Sequence, residues 1–323
     1  MTLRRHIRRE QGGFTLLELL VTVGIMAAIA GTATLALQDT TARASAAAHV
    51  AMMDELNEGI MTYRALPNNN NSYPTNFDSG IAVTADPGAG TALAGSVPTE
   101  VLGIDFGDAT TAGDVAMFEL PAGFAQPLID GGIDQLRYID LSLDGDGGDS
   151  PFTCADTTEI IASRANAFVP GNIFQGGTGN GCGFSRGIED GDEVLIWTGG
   201  NERVLGSGNV ELDTTTAGGV TTINATAASV GAKVLMAVGA GPSSNLFDAS
   251  ELGGMSSVPV YRHVSNLQYN RYFVLFEIGE VVDISGTPTL VAADQVVIAG
   301  VVDGAGDTKE EELGEWDGTR NTI

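Results

Sequence analysis

Positive charge is scarce in this chain. Fifteen lysines and arginines stand against 41 aspartates and glutamates over 323 residues, for a net charge of −26. A protein of that balance repels nucleic acid, whose binding needs basic residues clustered on one face, so a direct nucleic-acid partner is excluded. Histidine is nearly as rare: after the first ten residues only His49 and His263 remain, neither with a metal-ligating neighbour at useful sequence spacing. No glycine motif suited to cradling phosphate occurs. The lack of any fixed-period repeat argues against a solenoid or propeller. With only two cysteines, Cys154 and Cys182, thiolate metal binding is disfavoured.

What is present is concentrated at the amino end. Arg4, Arg5, Arg8 and Arg9 face a single Glu10, and a basic stretch ahead of an apolar span keeps that end in the cytoplasm. From Phe14 to Leu37 there is no proline, lysine or arginine. A helix of that length reaches roughly 36 Å, against a hydrocarbon core of about 30 Å, so the segment predicts one membrane crossing. Its only charge is Glu18. A carboxylate inside a membrane span is costly unless something pairs with it, so Glu18 marks a function beyond lipid anchoring. An ordinary secretory signal is cut after its apolar region, whereas here the Gly12-Gly13 pair precedes it and the helix would survive processing.

The run Gly12-Gly13-Phe14-Thr15-Leu16-Leu17-Glu18, with its basic leader, resembles type IV pilins and the pseudopilins of type II secretion. The likeness covers roughly residues 9 to 66. It implies cleavage by a prepilin peptidase between Gly13 and Phe14, N-methylation at Phe14, and pairing of Glu18 with the free amino terminus of a neighbouring subunit. Other pilin or pseudopilin subunits, an inner-membrane assembly platform and membrane lipid are the partners it implies. The chain would begin as a single-pass inner-membrane protein with a cytoplasmic amino end and finish in a periplasmic or extracellular filament. Physically, an ammonium and a carboxylate left alone in lipid each cost several kcal/mol, and pairing them relieves both.

The helix is predicted to continue outside the membrane. Between Asp39 and Leu66 glycine occurs once, at Gly59, and Met52, Leu56, Ile60 and Tyr63 recur at helical spacing, an apolar face ready to hold a head. Pro67 and the tract Asn68 to Asn71 end it. Gly24 and Gly31 weaken the span by about 1 kcal/mol each relative to alanine, which leaves room for local melting on assembly. Beyond lie short β-rich runs at 115–120, 136–143, 193–198, 233–238, 272–282 and 295–302, divided by glycine-rich turns. The fold class is therefore α+β: a leader at 1–13, a helical spine at 14–66 with 14–37 in the membrane, and a mainly antiparallel β-rich head at 67–323. A head of that size suggests two subdomains, meeting near Gly199 to Gly208.

The head carries the remaining candidates. Cys154 and Cys182 lie on the oxidising side of the membrane, where pairing is expected and would contribute roughly 3–4 kcal/mol; free thiols are the alternative. Asp144, Asp146 and Asp149 line a glycine loop that suits Ca²⁺ or serves as a solvated turn. Ala155 stands where an EF-hand would place its closing glutamate, although heads of related pseudopilins do hold calcium. No cofactor is required. Gly183-Phe184-Ser185-Arg186-Gly187 meets the G-x-S-x-G pattern, but a nucleophile elbow needs a strand before it and a helix after, so no enzyme is predicted. Four arginines and one glutamate leave with the leader, taking the net charge from −26 to −29. The acidic residues Asp303, Asp307, Glu310, Glu311, Glu312, Glu315 and Asp317 predict a solvated surface segment.

Overall fold

A computed structural model describes residues 15–83, 90–93, 95, 113–140, 183–217, 220–248, 255–261 and 271–317. The first element is a single helix, α1 (Leu16–Ala65), unbroken through Gly24, Gly31 and Gly59. Thr15 caps it: Glu18 N–H donates to Thr15 Oγ1 at 3.3 Å, and Thr15 N–H donates back to Glu18 Oε2 at 3.5 Å. Its last turn stops at Leu66, whose extended backbone is what a residue before proline adopts. Asn70 and Asn71 then take left-handed conformations, tolerable for asparagine, and Asn69 Nδ2 donates to the Tyr63 carbonyl at 2.8 Å. The asparagine tract is thus both the helix stop and the turn into the head.

The head is built on one ten-stranded sheet, mixed but mostly antiparallel, so the α+β class stands. Its strands are β1 (Phe77–Val83), β2 (Val115–Glu119), β3 (Gln135–Asp140), β4 (Gly183–Gly187), β5 (Glu193–Trp197), β6 (Thr214–Ala217), β7 (Val220–Ile223), β8 (Lys233–Gly239), β9 (Phe273–Ile284) and β10 (Thr287–Val302). Short helices α2 (Ala125–Asp130) and α3 (Asn201–Leu205) interrupt the strands, and α4 (Lys309–Asp317) follows them. Among the described strands, only the β1–β3 and β2–β7 pairs are parallel. Strand β8 is the hub, pairing β9 along its length, β5 through Leu195–Ala237 and Ile196–Met236, and β1 at Asp78–Gly239. Its Val234 to Val238 run is wholly buried, as an uninterrupted apolar run demands. Strands on both sides of 199–208, where a subdomain join was expected, share this one sheet.

The longest pair, β9 and β10, closes through Ser285 and Gly286, both at positive φ. Two such residues make the turn whose twist matches a right-handed hairpin. This is why β9 runs past the predicted 282 and β10 starts well before the predicted 295: alternating polar residues hide the strand, and the two-residue turn reveals it.

Helix α1 packs its second half on α4 and β10. The buried face runs through Ala46, His49, Met53, Leu56, Ile60 and Tyr63. The predicted stripe gains one member: Met53 is buried, while Met52 is half-buried, packs against the core and accepts a hydrogen bond from Tyr272. Alternating steps of three and four residues place 49 and 53 on the face of 56, 60 and 63, and 52 on the rim of that face beside 63.

Candidate functional site

Two places concentrate chemistry among the described residues. The first is the amino end of α1. Leu16–Thr34 has a mean hydropathy of 2.0 and none of it is buried; Leu16 is 84% exposed. Its hydroxyls are satisfied internally: Thr22 donates to the Leu19 carbonyl at 2.9 Å, Thr32 to Ile29 at 3.0 Å and Thr34 to Ala30 at 2.8 Å. A helix that pairs its hydroxyls internally while exposing leucines all round is suited to lipid or to other helices, not to water. This segment is long and apolar enough to cross a membrane. Glu18 sits in its first turn, where the positive end of the helix dipole favours a carboxylate. Only Oε2 engages Thr15; Oε1 makes no hydrogen bond among the described residues.

The second place is where α1 meets the end of the chain. Thr308 starts α4 with a cap of its own: its N–H and Oγ1 both donate to Glu311 Oε2, at 2.9 and 3.0 Å. Arg203 of α3 then grips Glu311 with two parallel bonds of 3.0 and 2.9 Å, reaches Asp114 Oδ1 at 2.6 Å, and lies 5.1 Å over the Trp197 ring. Burial works against charge on Glu311, but the Arg203 and Thr308 donors outweigh it and hold its carboxyl below the usual range. Replacing Arg203 by methionine is expected to cost about 2 kcal/mol, the loss of a charge-assisted fork, read as a lower urea midpoint. Because the folded pKa of Glu311 is depressed, this stabilisation is present above the ordinary carboxylate range and lost as pH falls through the depressed value. The variant should therefore show a shallower acid-side decline in Tm.

One turn past the cap, Glu312 points inward. It is 3% exposed, and its Oε1 lies 3.1 Å from Nδ1 of His49, itself buried on α1. Asp303, at the end of β10, is fully buried beside them. The donor atoms of the three side chains lie within 4.8 Å of one another. A tight turn holds Asp303: its Oδ1 accepts from the backbone N–H of Ala305 at 2.8 Å and of Asp307 at 2.9 Å. Burial, together with the facing Glu312, still pushes the Asp303 carboxyl up to about 8. Tyr261 tilts against the His49 ring at 4.7 Å, and burial raises its phenol as does the negative field of Asp303 and Glu312.

These positions correct two expectations. The acidic run is not wholly solvated: Glu310 is exposed, but Asp303 and Glu312 belong to the interior. His49, without a ligating neighbour in sequence, has two in space, because the fold returns the chain end to the spine. The signals available were the Thr308-to-Glu311 capping pattern and the place of His49 four residues before Met53 on the buried face. Ser185 lies in the middle of strand β4, exposed, with its hydroxyl 2.5 Å from Asn76 Oδ1, so it is not on a strand-to-helix elbow. Gly13, Phe14, Cys154, Cys182, Asp144, Asp146, Asp149 and His263 lie outside the described residues.

Residues 8–34 match the family described as Prokaryotic N-terminal methylation motif. No curated protein and no solved structure matches the chain. The match, with the exposed apolar helix, supports a class III leader of the kind carried by type IV pilins and pseudopilins; such a leader implies membrane insertion, processing by a prepilin peptidase and assembly with other pilin subunits. It points to a structural role rather than to an enzyme.

Proposed function

We propose that the mature chain begins at Phe14, carries a methylated amino terminus, and serves as a structural subunit in the shaft of a type IV pilus-like filament. It is held in the inner membrane with its amino end in the cytoplasm until the assembly platform extracts it. The observation that carries this reading is Glu18 at the head of an unburied apolar helix, with Oε1 open to a neighbour's α-amino group. Packing the helices side by side removes their leucines from lipid or water, and the pairing of Glu18 with an ammonium sets the axial register.

A pseudopilin of type II secretion shares the same helix and is the alternative. The head, residues 67–323, is large, which favours a minor subunit whose head binds a surface ligand. Glu18 argues against the extreme tip, since a subunit with no neighbour above has no amine to pair with. Abundance in sheared filaments separates these readings: a major subunit dominates them, a minor one is scarce, and a pseudopilin is missing from the cell surface.

Mass spectrometry of the mature chain tests the processing step. The expected amino-terminal peptide starts at N-methylated Phe14; a chain that retains Met1 to Gly13, or that starts after the apolar helix, overturns the reading.

A further inference from the structure

The buried junction of α1, β10 and α4 holds chemistry that filament assembly does not use. Two carboxylates and an imidazole are packed there, out of water, from segments more than 250 residues apart in sequence. Asp303 is fully buried, and its Oδ2 has no hydrogen-bond partner among the described residues. A bare carboxylate oxygen in such a place costs several kcal/mol unless a cation or a proton occupies the gap. The donor set, one nitrogen and two oxygens, decides which kind of cation: calcium and magnesium take oxygen ligands, whereas imidazole with carboxylates suits zinc and its neighbours. His49 Nδ1 and Glu312 Oε1 lie 3.1 Å apart, within hydrogen-bond reach, and need to part by only a few tenths of an ångström to reach the roughly 3.3–3.6 Å between two tetrahedral ligands about 2.0–2.2 Å from one ion. Around the three donors lies a supporting shell: the Ala305 and Asp307 amides orient Asp303, and Tyr261 packs against the imidazole.

We propose that His49, Asp303 and Glu312 bind a divalent transition-metal ion of the Zn²⁺ class, which staples the spine helix to the last strand and helix of the head. Two carboxylates and a neutral imidazole compensate a doubly charged ion fully, leaving a neutral buried centre. The ion joins elements that only the closed fold brings together, so binding it is stabilisation of the head on its spine. The site shares no residue with the Glu18 end of the spine and differs in donor type from the carboxylates Asp144, Asp146 and Asp149.

The test uses the full chain in detergent, stripped with chelator and then titrated with Zn²⁺, with elemental analysis and thermal melts. About one equivalent of zinc per chain is expected, with Tm raised by about 5–10 °C at a hundredfold excess over Kd. The double variant Asp303→Asn, Glu312→Gln keeps shape and should melt at a temperature indifferent to zinc; His49→Gln, which leaves both acids, should weaken binding at least tenfold. Co²⁺ in the parent chain should give visible bands without thiolate charge transfer, which reads the ligand type even if no variant folds. No stoichiometric metal and no shift in the parent, a zinc response unchanged in the double variant, or thiolate bands from Cys154 and Cys182 would each overturn the site.

Discussion

Glu18→Gln chains are expected to fold, cap their helix and enter the membrane as the parent does, yet to be missing from filaments. Glutamine can still accept at the N3 position of a capping box, so the bonds between Thr15 and residue 18 survive the change. What is lost is the charge. Once helices pack, the neighbour's α-ammonium would sit in an apolar environment without a counter-ion, and breaking a buried pair by removing one partner costs about 3–5 kcal/mol. That corresponds to a subunit affinity lower by about a hundredfold or more at every joint of the polymer. Glu18→Ala should fail in the same way, with a further loss of about 1 kcal/mol in the helix start. The measurement is immunoblotting of sheared filaments beside the membrane fraction. Glutamine chains appearing in filaments at the parent level would mean that the acid is a cap and nothing more.

The second large effect lies at the other end of the same helix. Ile60 is completely buried between the spine and the sheet, and truncating it to alanine removes three methyl(ene) groups from a site closed by two rigid elements. A loss of about 3–4 kcal/mol is expected, a sizeable part of the 5–15 kcal/mol that domains of this kind possess. Met61, the next residue, is 44% exposed, and Met61→Ala should change stability by no more than about 0.5 kcal/mol. Urea unfolding of the detergent-solubilised chain, followed by tryptophan fluorescence, reads both, since Trp197 is buried and donates to the Gly200 carbonyl at 2.8 Å. If the two variants unfold at the same urea concentration, the head does not depend on this stripe.

The helix and its amino end were legible because their determinants are local. Apolar length, a capping residue, the acid three positions on and the proline that stops the helix each act within a few residues. Strand positions were legible where burial on both faces leaves a continuous apolar run, as in β5 and β8. They were not where the strand is polar or at an edge: Gly183–Gly187 reads as a glycine loop, and Thr214–Ala217 with Val220–Ile223 as threonine-rich coil, until pairing supplies their backbone bonds. The acidic run at the end of the chain shows the same limit for side chains. Composition says that seven carboxylates within 15 residues belong in water, and it has no means of seeing that a capping turn at Thr308 rotates one of them, Glu312, toward a histidine on the spine.

The sequence by itself determined that this chain carries a leader motif, a helix long and apolar enough to cross a membrane with one acid, and a β-rich head, since each follows from near-neighbour spacing and from transfer of apolar surface out of water. Only the tertiary structure decided that the described strands form one sheet around β8, that Met53 as well as Met52 packs against the core, and that His49, Asp303 and Glu312 meet. Those outcomes depend on contacts between residues hundreds of positions apart, and their energies exist only once the chain has closed on itself.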